Sequence, residues 1–318
     1  MTEPAILSER MDDARAWTAA TIDEPASWHC ALNAECVSEL DELLQNDPAA
    51  ASAGTVTDIR IDGGLPACSR HLQPAREALE QGRGFVILDS PTESWTAPQQ
   101  VAAYWILGQA LGQPFEQDVA GTLLFDVHDT GRSVTEGARF SVTNAESSFH
   151  TDSAFNPYPP DCVGLLCLQT AKAGGESQLV SGLALHDELL THHPQALSTL
   201  YHSFCFDRRG QFTADEPAVL ENPIFAWDGR QLLLRYLHYY IEVGHEKAQR
   251  PLEPDQHEAL NLVEALVRKR ELRVEFQLER GQMLFTNNRW ILHNRTAFED
   301  HAETGKRRHY VRLWLRAD

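Results

Sequence analysis

The chain has 318 residues, with 27 Lys+Arg against 46 Asp+Glu and a formal net charge of -19. No basic run is longer than Lys306-Arg307-Arg308, so a phosphate-tracking nucleic-acid surface is excluded. A 42% hydrophobic content can fill the core of one large domain or two small ones, which excludes global disorder.

No stretch approaches the ~18 uninterrupted apolar residues of a membrane span. The N-terminal Met1 to Trp17 carries acids where a secretory signal carries a basic region and an apolar core, so the expectation is a cytoplasmic protein without a membrane partner. The six cysteines (Cys30, Cys36, Cys68, Cys162, Cys167 and Cys205) form no C-x-x-C pair and are expected to be reduced and mostly buried.

In chain order, the first 70 or so residues alternate helix-like patches such as Cys36-Val37-Leu40-Leu43-Leu44 with a small-residue linker, Pro48 to Gly54. They predict a helical extension over 1–75, packed on a second unit over 76–318. From Gly84 short strand-like runs take over: 84–88, 122–125, 163–168, 231–235, 273–278, 283–285 and 310–315. Helical spacing appears at 98–111, 184–192 and 255–269. Many short strands with clustered helices, and no G-x-G-x-x-G or P-loop, predict a mainly β fold with flanking helices, a sandwich or double-sheet jelly roll.

With 14 His and 46 acids, chance gives roughly two H-x-[DE] triplets, and three are present. His186-Asp187-Glu188 opens a helical segment, where residues two apart point to different sides. His301-Ala302-Glu303 lies in a polar, loop-like stretch. Only His150-Thr151-Asp152 follows a β-branched and aromatic run, 140–143 and Phe149, where extended backbone aims residues i and i+2 the same way. A third ligand is needed, and His293, after the strand-like 282–288 and the apolar Trp290-Ile291-Leu292, is the candidate. Two imidazoles and a carboxylate with open positions suit either non-heme Fe(II) or a catalytic zinc. Arg308 and Arg312, four residues apart on one strand face, can hold carboxylates, and a hydroxyl from Gly174-Gly175-Glu176-Ser177 can assist.

Phe149-His150-Thr151-Asp152, Pro159-Pro160-Asp161, Gly174 to Gly182, Asn287 to Phe298 and Arg307 to Arg312 together resemble the taurine dioxygenase (TauD/TfdA-like) family from about Gly84 to the C-terminus. The resemblance implies a double-stranded β-helix of the clavaminate synthase type and an oxygenase dependent on Fe(II), 2-oxoglutarate and O2. It implies iron bound by His150, Asp152 and His293, and the distal carboxylate of 2-oxoglutarate bound by Arg308 with Ser177, where relatives often carry Thr. Arg312 falls where some relatives hold an acidic group of the substrate. Asp152 departs from the related halogenases, which carry a small residue there.

By this reading, oxidative decarboxylation of 2-oxoglutarate to succinate and CO2 drives hydroxylation of a small anionic substrate, an amino acid or derivative, free or tethered to a carrier protein. Desaturation or cyclisation by the same chemistry, a zinc hydrolase and a non-catalytic ligand-binding jelly roll stay open. The stretches 129–148 and 153–160 are expected to wall the substrate pocket, with Asn144 and Phe155 as candidate substrate contacts. Tyr236, Tyr239 and Tyr240 beside His238 are expected to be packing residues, and His192, His193 and His245 surface residues.

Overall fold

The computed structural model describes residues 4–46, 55–61, 64–91, 94–133 and 139–317. The linker expected at 48–54 and part of the pocket wall expected at 129–148 lie outside them. The chain begins with β1 (His29–Ala31), α1 (Ala34–Asn46), α2 (Pro66–His71), α3 (Gln73–Glu80), β2 (Phe85–Asp89), α4 (Ala97–Leu111), β3 (Gln113–Phe115) and β4 (Leu124–Val127). The middle holds β5 (Cys162–Gln169), β6 (Ala173–Gly174), β7 (Ser177–Ser181), α5 (Gly182–His192), α6 (Pro194–Leu200), β8 (Ser203–Asp207), β9 (Val219–Pro223), β10 (Phe225–Trp227) and β11 (Leu232–Leu234). It ends with α7 (His238–Lys247), α8 (Pro254–Val267), β12 (Arg273–Phe276), β13 (Gln282–Asn287), β14 (Ile291–Arg295), β15 (Phe298–Glu299) and β16 (His309–Arg316).

The major sheet runs β1-β2-β13-β5-β16-β3, with β4 also paired to β16. A minor sheet runs β12-β7-β14, and this pair of sheets is the double-stranded β-helix. Strand alternation divides the interior in two. From β13, Met283 and Phe285 join Val86, Leu88, Leu166, Val311, Leu313 and α4 in one core. Leu284, Ile87, Cys167 and Tyr310 point into the other core, between the sheets. Helix α4 shows why it is central: ten of its residues are buried, and it starts on a Thr96 capping box with Pro98 in the first turn.

The segment up to residue 75 is not only helical. Its β1 pairs in parallel with β2 and extends the major sheet. Trp17 and Trp28 pack edge-on against Phe85. Four of the six cysteines are free thiols, but Cys36 and Cys68 are joined as a disulfide, which corrects the expectation that all six are reduced. The reason is spatial: α1 packs on α2 and brings the two Cα atoms within 4.5 Å across 32 residues of sequence, a proximity that local spacing does not carry. His245 is also corrected, since it is buried, with Nε2 accepting from Cys205 N at 3.0 Å and Nδ1 2.7 Å from the Arg250 carbonyl. Among the described residues no helix is long and apolar enough to cross a membrane.

Gly164 in β5 is the point where α4 closes on the major sheet: a Cβ there would run into the Tyr104 hydroxyl and sit 2.9 Å from Phe285 Cε1. Both obstacles are buried and cannot swing away. Gly164→Ala is therefore expected to cost about 1–3 kcal/mol by overpacking, read as a lowered urea midpoint. An unchanged midpoint would contradict this packing.

Candidate metal centre

His150 lies in no strand, yet an antiparallel bridge pins it to His293 on β14. His150 N donates to the His293 carbonyl at 3.0 Å, and His293 N returns a bond to the His150 carbonyl at 2.9 Å. The two rings stand 4.3 Å apart, centroid to centroid. The extended run expected at 140–143 is instead a 3-10 turn, Phe140–Val142. The cause is Arg295, whose Nη2 donates to the carbonyls of Phe140 and Thr143 and draws that backbone into a curl.

Asp152 is placed by its backbone. Its N–H donates to Asn288 Oδ1 at 2.7 Å, while Asn288 Nδ2 donates back to the Asp152 carbonyl at 3.0 Å. Thr151 is tied to Tyr236 from both sides. Ser153 then leaves the site with a φ of 55°, in the left-handed region. The sharp turn keeps the Asp152 side chain beside the two imidazoles.

Oδ1 of Asp152 lies 3.4 Å from His150 Nε2 and 3.7 Å from His293 Nε2. These three atoms lie within 4.8 Å of one another, and they are the one such His/Asp cluster among the described residues. Nδ1 of His150, 2.9 Å from the Ser148 carbonyl, donates there and leaves the Nε2 lone pair facing the centre. The other carboxylate oxygen, Oδ2, accepts from Trp314 Nε1 at 2.6 Å and forms an ion pair with Arg312 Nη1 at 3.1 Å. Burial alone would raise the Asp152 carboxyl, but Arg312 and the two imidazoles outweigh it and hold the group well below the usual carboxylate range. Burial, helped by His150, lowers His293, so its imidazole stays neutral. Two imidazole nitrogens and one carboxylate oxygen around a common point fit a divalent cation with the cavity side left open.

The same cavity is lined by Arg308, immediately before β16 and 4% exposed. Its guanidinium stacks on Tyr310, 3.8 Å from the ring centroid, and its Nε has no hydrogen-bond partner. Among the described residues no carboxylate forms an ion pair with its guanidinium, although Asp300 accepts from its backbone N–H at 2.7 Å, and burial lowers its pKa. A buried guanidinium left unpaired is costly, which makes this an anion site in waiting. Ser177 lines the same cavity, on the strand that follows the left-handed Gly174 and Gly175. In register across from Ser177 stands Arg295. Burial and the neighbouring Arg308 push Arg295 down to about 9. Sequence reasoning passed over Arg295, although strand alternation puts residue 295 on the same face as His293.

Phe155 and Arg312 also line the cavity, as does Tyr240, which was expected only to pack. Asn144 does not: its side chain is exposed, and its carbonyl accepts from Phe298 N at 3.1 Å, which turns the residue away from the cavity. Arg139, Arg209 and Trp314 line it and were not singled out from sequence. Of the other two triplets, His186 is buried on α5 with Nε2 2.9 Å from the Tyr201 hydroxyl, and His301 to Glu303 lie in a turn before β16.

Comparison with known proteins agrees with this geometry. Residues 45–314 match the family model described as taurine catabolism dioxygenase TauD, TfdA family. FR-33289 synthase of Streptomyces rubellomurinus is 28% identical over 320 residues, covering 98% of this chain and 92% of that protein. An asparagine oxygenase solved with Fe(II), 3-hydroxyasparagine and succinate superposes with a TM-score of 0.70 at 20% identity, covering 92% of this chain and 94% of the other. The non-heme iron oxygenase OrfP, solved with Fe and alpha-ketoglutaric acid, superposes with a TM-score of 0.63 at 17% identity, covering 91% and 94%. Matched by this family model over most of its length, the chain belongs to the TauD/TfdA family of dioxygenases.

Proposed function

We propose that the protein is an Fe(II)- and 2-oxoglutarate-dependent dioxygenase that hydroxylates a C–H bond of a small anionic molecule. In this reading His150 Nε2, His293 Nε2 and Asp152 Oδ1 hold the iron. Arg308, assisted by Ser177, takes the far carboxylate of 2-oxoglutarate. The observation that carries it is the pairing, in one cavity, of a three-atom metal cradle with a buried guanidinium that lacks an anion. Bound iron, with 2-oxoglutarate and O2, supplies an oxidant able to attack an unactivated C–H bond while succinate and CO2 are released.

The residues of the chain position and shield. Trp314 and Arg312 occupy Oδ2, so Asp152 offers a single oxygen to the metal. The Ser148 carbonyl fixes the tautomer of His150. Leu165, Leu179 and Leu284 line the cavity between the two sheets and limit water there. A hydrolase would leave Arg308 without a ligand, so the zinc alternative explains less of the cavity. Hydroxylation is favoured over desaturation or cyclisation because the solved neighbours hold 3-hydroxyasparagine and hydroxy-L-Arg. Those are free amino acid products, which favours a free small molecule over a carrier-tethered one.

Anaerobic Fe(II) and 2-oxoglutarate are expected to give the weak visible metal-to-ligand charge-transfer band with the wild type and none with His150→Ala. No band in iron-loaded wild type would overturn the reading. Arg308→Gln is expected to raise the 2-oxoglutarate concentration needed for half-maximal succinate release on the order of 30-fold, the loss of about 2 kcal/mol for a charge-assisted hydrogen bond; an unchanged KM would remove Arg308 from the role. Trp314→Phe frees one lone pair of Oδ2 and is expected to weaken Fe(II) binding about 10- to 100-fold, measured by anaerobic titration. Wild-type affinity in that variant would show that the indole does not orient the carboxylate.

A further inference from the structure

Five arginines line the cavity (Arg139, Arg209, Arg295, Arg308 and Arg312), and Asp152 is the one acid among its described lining residues. Asp152 is already committed to the two imidazoles and Arg312. Arg308 is assigned to 2-oxoglutarate, and Arg295 is spent on the carbonyls of Phe140, Thr143 and Thr296. Arg139 and Arg209 therefore remain on the substrate side beside Arg312, which is paired with Asp152, and all three act on the half-buried phenol of Tyr240.

Arg209 is built into this place. Its backbone sits at a φ of 51°, followed by Gly210 at 76°, so two successive left-handed residues turn the chain out of β8. A non-glycine residue in that region is uncommon and is held there by its surroundings. The guanidinium lies over Tyr239 and Tyr240, 5.5 Å from each centroid. Its nearest acid, Asp207 at 3.6 Å, is fully buried and is shared with Lys247 at 2.7 Å, so the cluster keeps a surplus positive charge. Arg139 makes no ion-pair contact within 4.0 Å among the described residues, and the charges of Asp118 and Asp152 only partly offset the burial that lowers its pKa.

We propose, resting on the reading above, that Arg139, Arg209 and Arg312 form the substrate subsite, that it takes a doubly charged oxyanion head group, and that it discriminates against a free ammonium group. An α-ammonium needs a carboxylate partner in a buried site, and the described lining offers none to spare. A zwitterionic amino acid would place its cation beside three guanidinium groups. An amine-free or N-acylated dianion meets only complementary charge, with its apolar segment reaching past Phe155 toward the metal cradle. The substrate class is thereby separated from the asparagine and arginine products held by the solved neighbours.

The test is calorimetric titration of the Fe(II) holoenzyme, saturated with 2-oxoglutarate under anaerobic conditions, with four probes: inorganic phosphate, methylphosphonate, N-acetyl-L-aspartate and L-aspartate. At least one dianion is expected to bind ten-fold or more tightly than L-aspartate, and the order among phosphate, methylphosphonate and N-acetyl-L-aspartate separates a tetrahedral from a dicarboxylate head. Arg209→Asn, which tolerates the left-handed backbone, and Arg139→Gln are each expected to weaken that binding at least ten-fold, with recovery in Arg209→Lys. The charge-transfer band reports separately on the iron and 2-oxoglutarate reading. A holoenzyme with the band that binds no dianion, or prefers L-aspartate, overturns the subsite, as does unaltered binding in Arg209→Asn. If the band itself is missing, the same titration of the metal-free protein tests the subsite alone.

Discussion

Asp152 is a carboxylate 5% exposed, wedged against two imidazoles in the space between two sheets, and its ionisation is the constraint around which the site is arranged. Burial works against the charge, and Arg312 with the two imidazoles offsets it; on β16, Arg312 and Trp314 both reach Oδ2. These residues are two apart on one strand and therefore share a face. Gln117 holds Arg312 in turn, accepting from its Nε at 2.7 Å and donating to its carbonyl at 2.9 Å. The last strand of the chain, through its position beside β5 and β4, sets which carboxylate oxygen points at the imidazoles.

The same strand keeps the two cores apart. Tyr310, Arg312 and Trp314 face the cavity side, while Val311, Leu313 and Leu315 pack beneath α4 and the N-terminal helices. A one-residue slip of β16 would exchange the two sets, removing both groups from Oδ2 and placing a guanidinium in the apolar core. Helices α1 to α4 thus contribute to the chemistry indirectly: by covering one face of the major sheet they fix the register that arms the other.

Much of this was legible in the residue order. His150-Thr151-Asp152 stood out because its flanks differ from those of the other two triplets, and Arg308 because it follows His293 in a strand-like C-terminus. The fold class followed from the many short apolar runs, most of which became strands within a residue or two. What sequence hid was long-range. Arg209 reaches the cavity through a two-residue left-handed turn, and Arg139 and Trp314 through strand pairing and loop path, none of which leaves a local pattern. The 140–143 run looked extended because its residues favour strands, but Arg295, more than 150 positions away, bonds its carbonyls and curls it. Cys36 and Cys68 met through helix packing for the same reason. His150 itself needed no strand, since one bridge to His293 orients it.

The most direct test of the account is anomalous diffraction at the iron absorption edge from crystals soaked anaerobically with Fe(II) and 2-oxoglutarate. The account predicts a single strong peak equidistant from His150 Nε2, His293 Nε2 and Asp152 Oδ1, with Oδ2 still on Trp314 and Arg312 and the far carboxylate of 2-oxoglutarate on Arg308. A peak elsewhere, or iron at the cradle with 2-oxoglutarate turned away from Arg308, would contradict it.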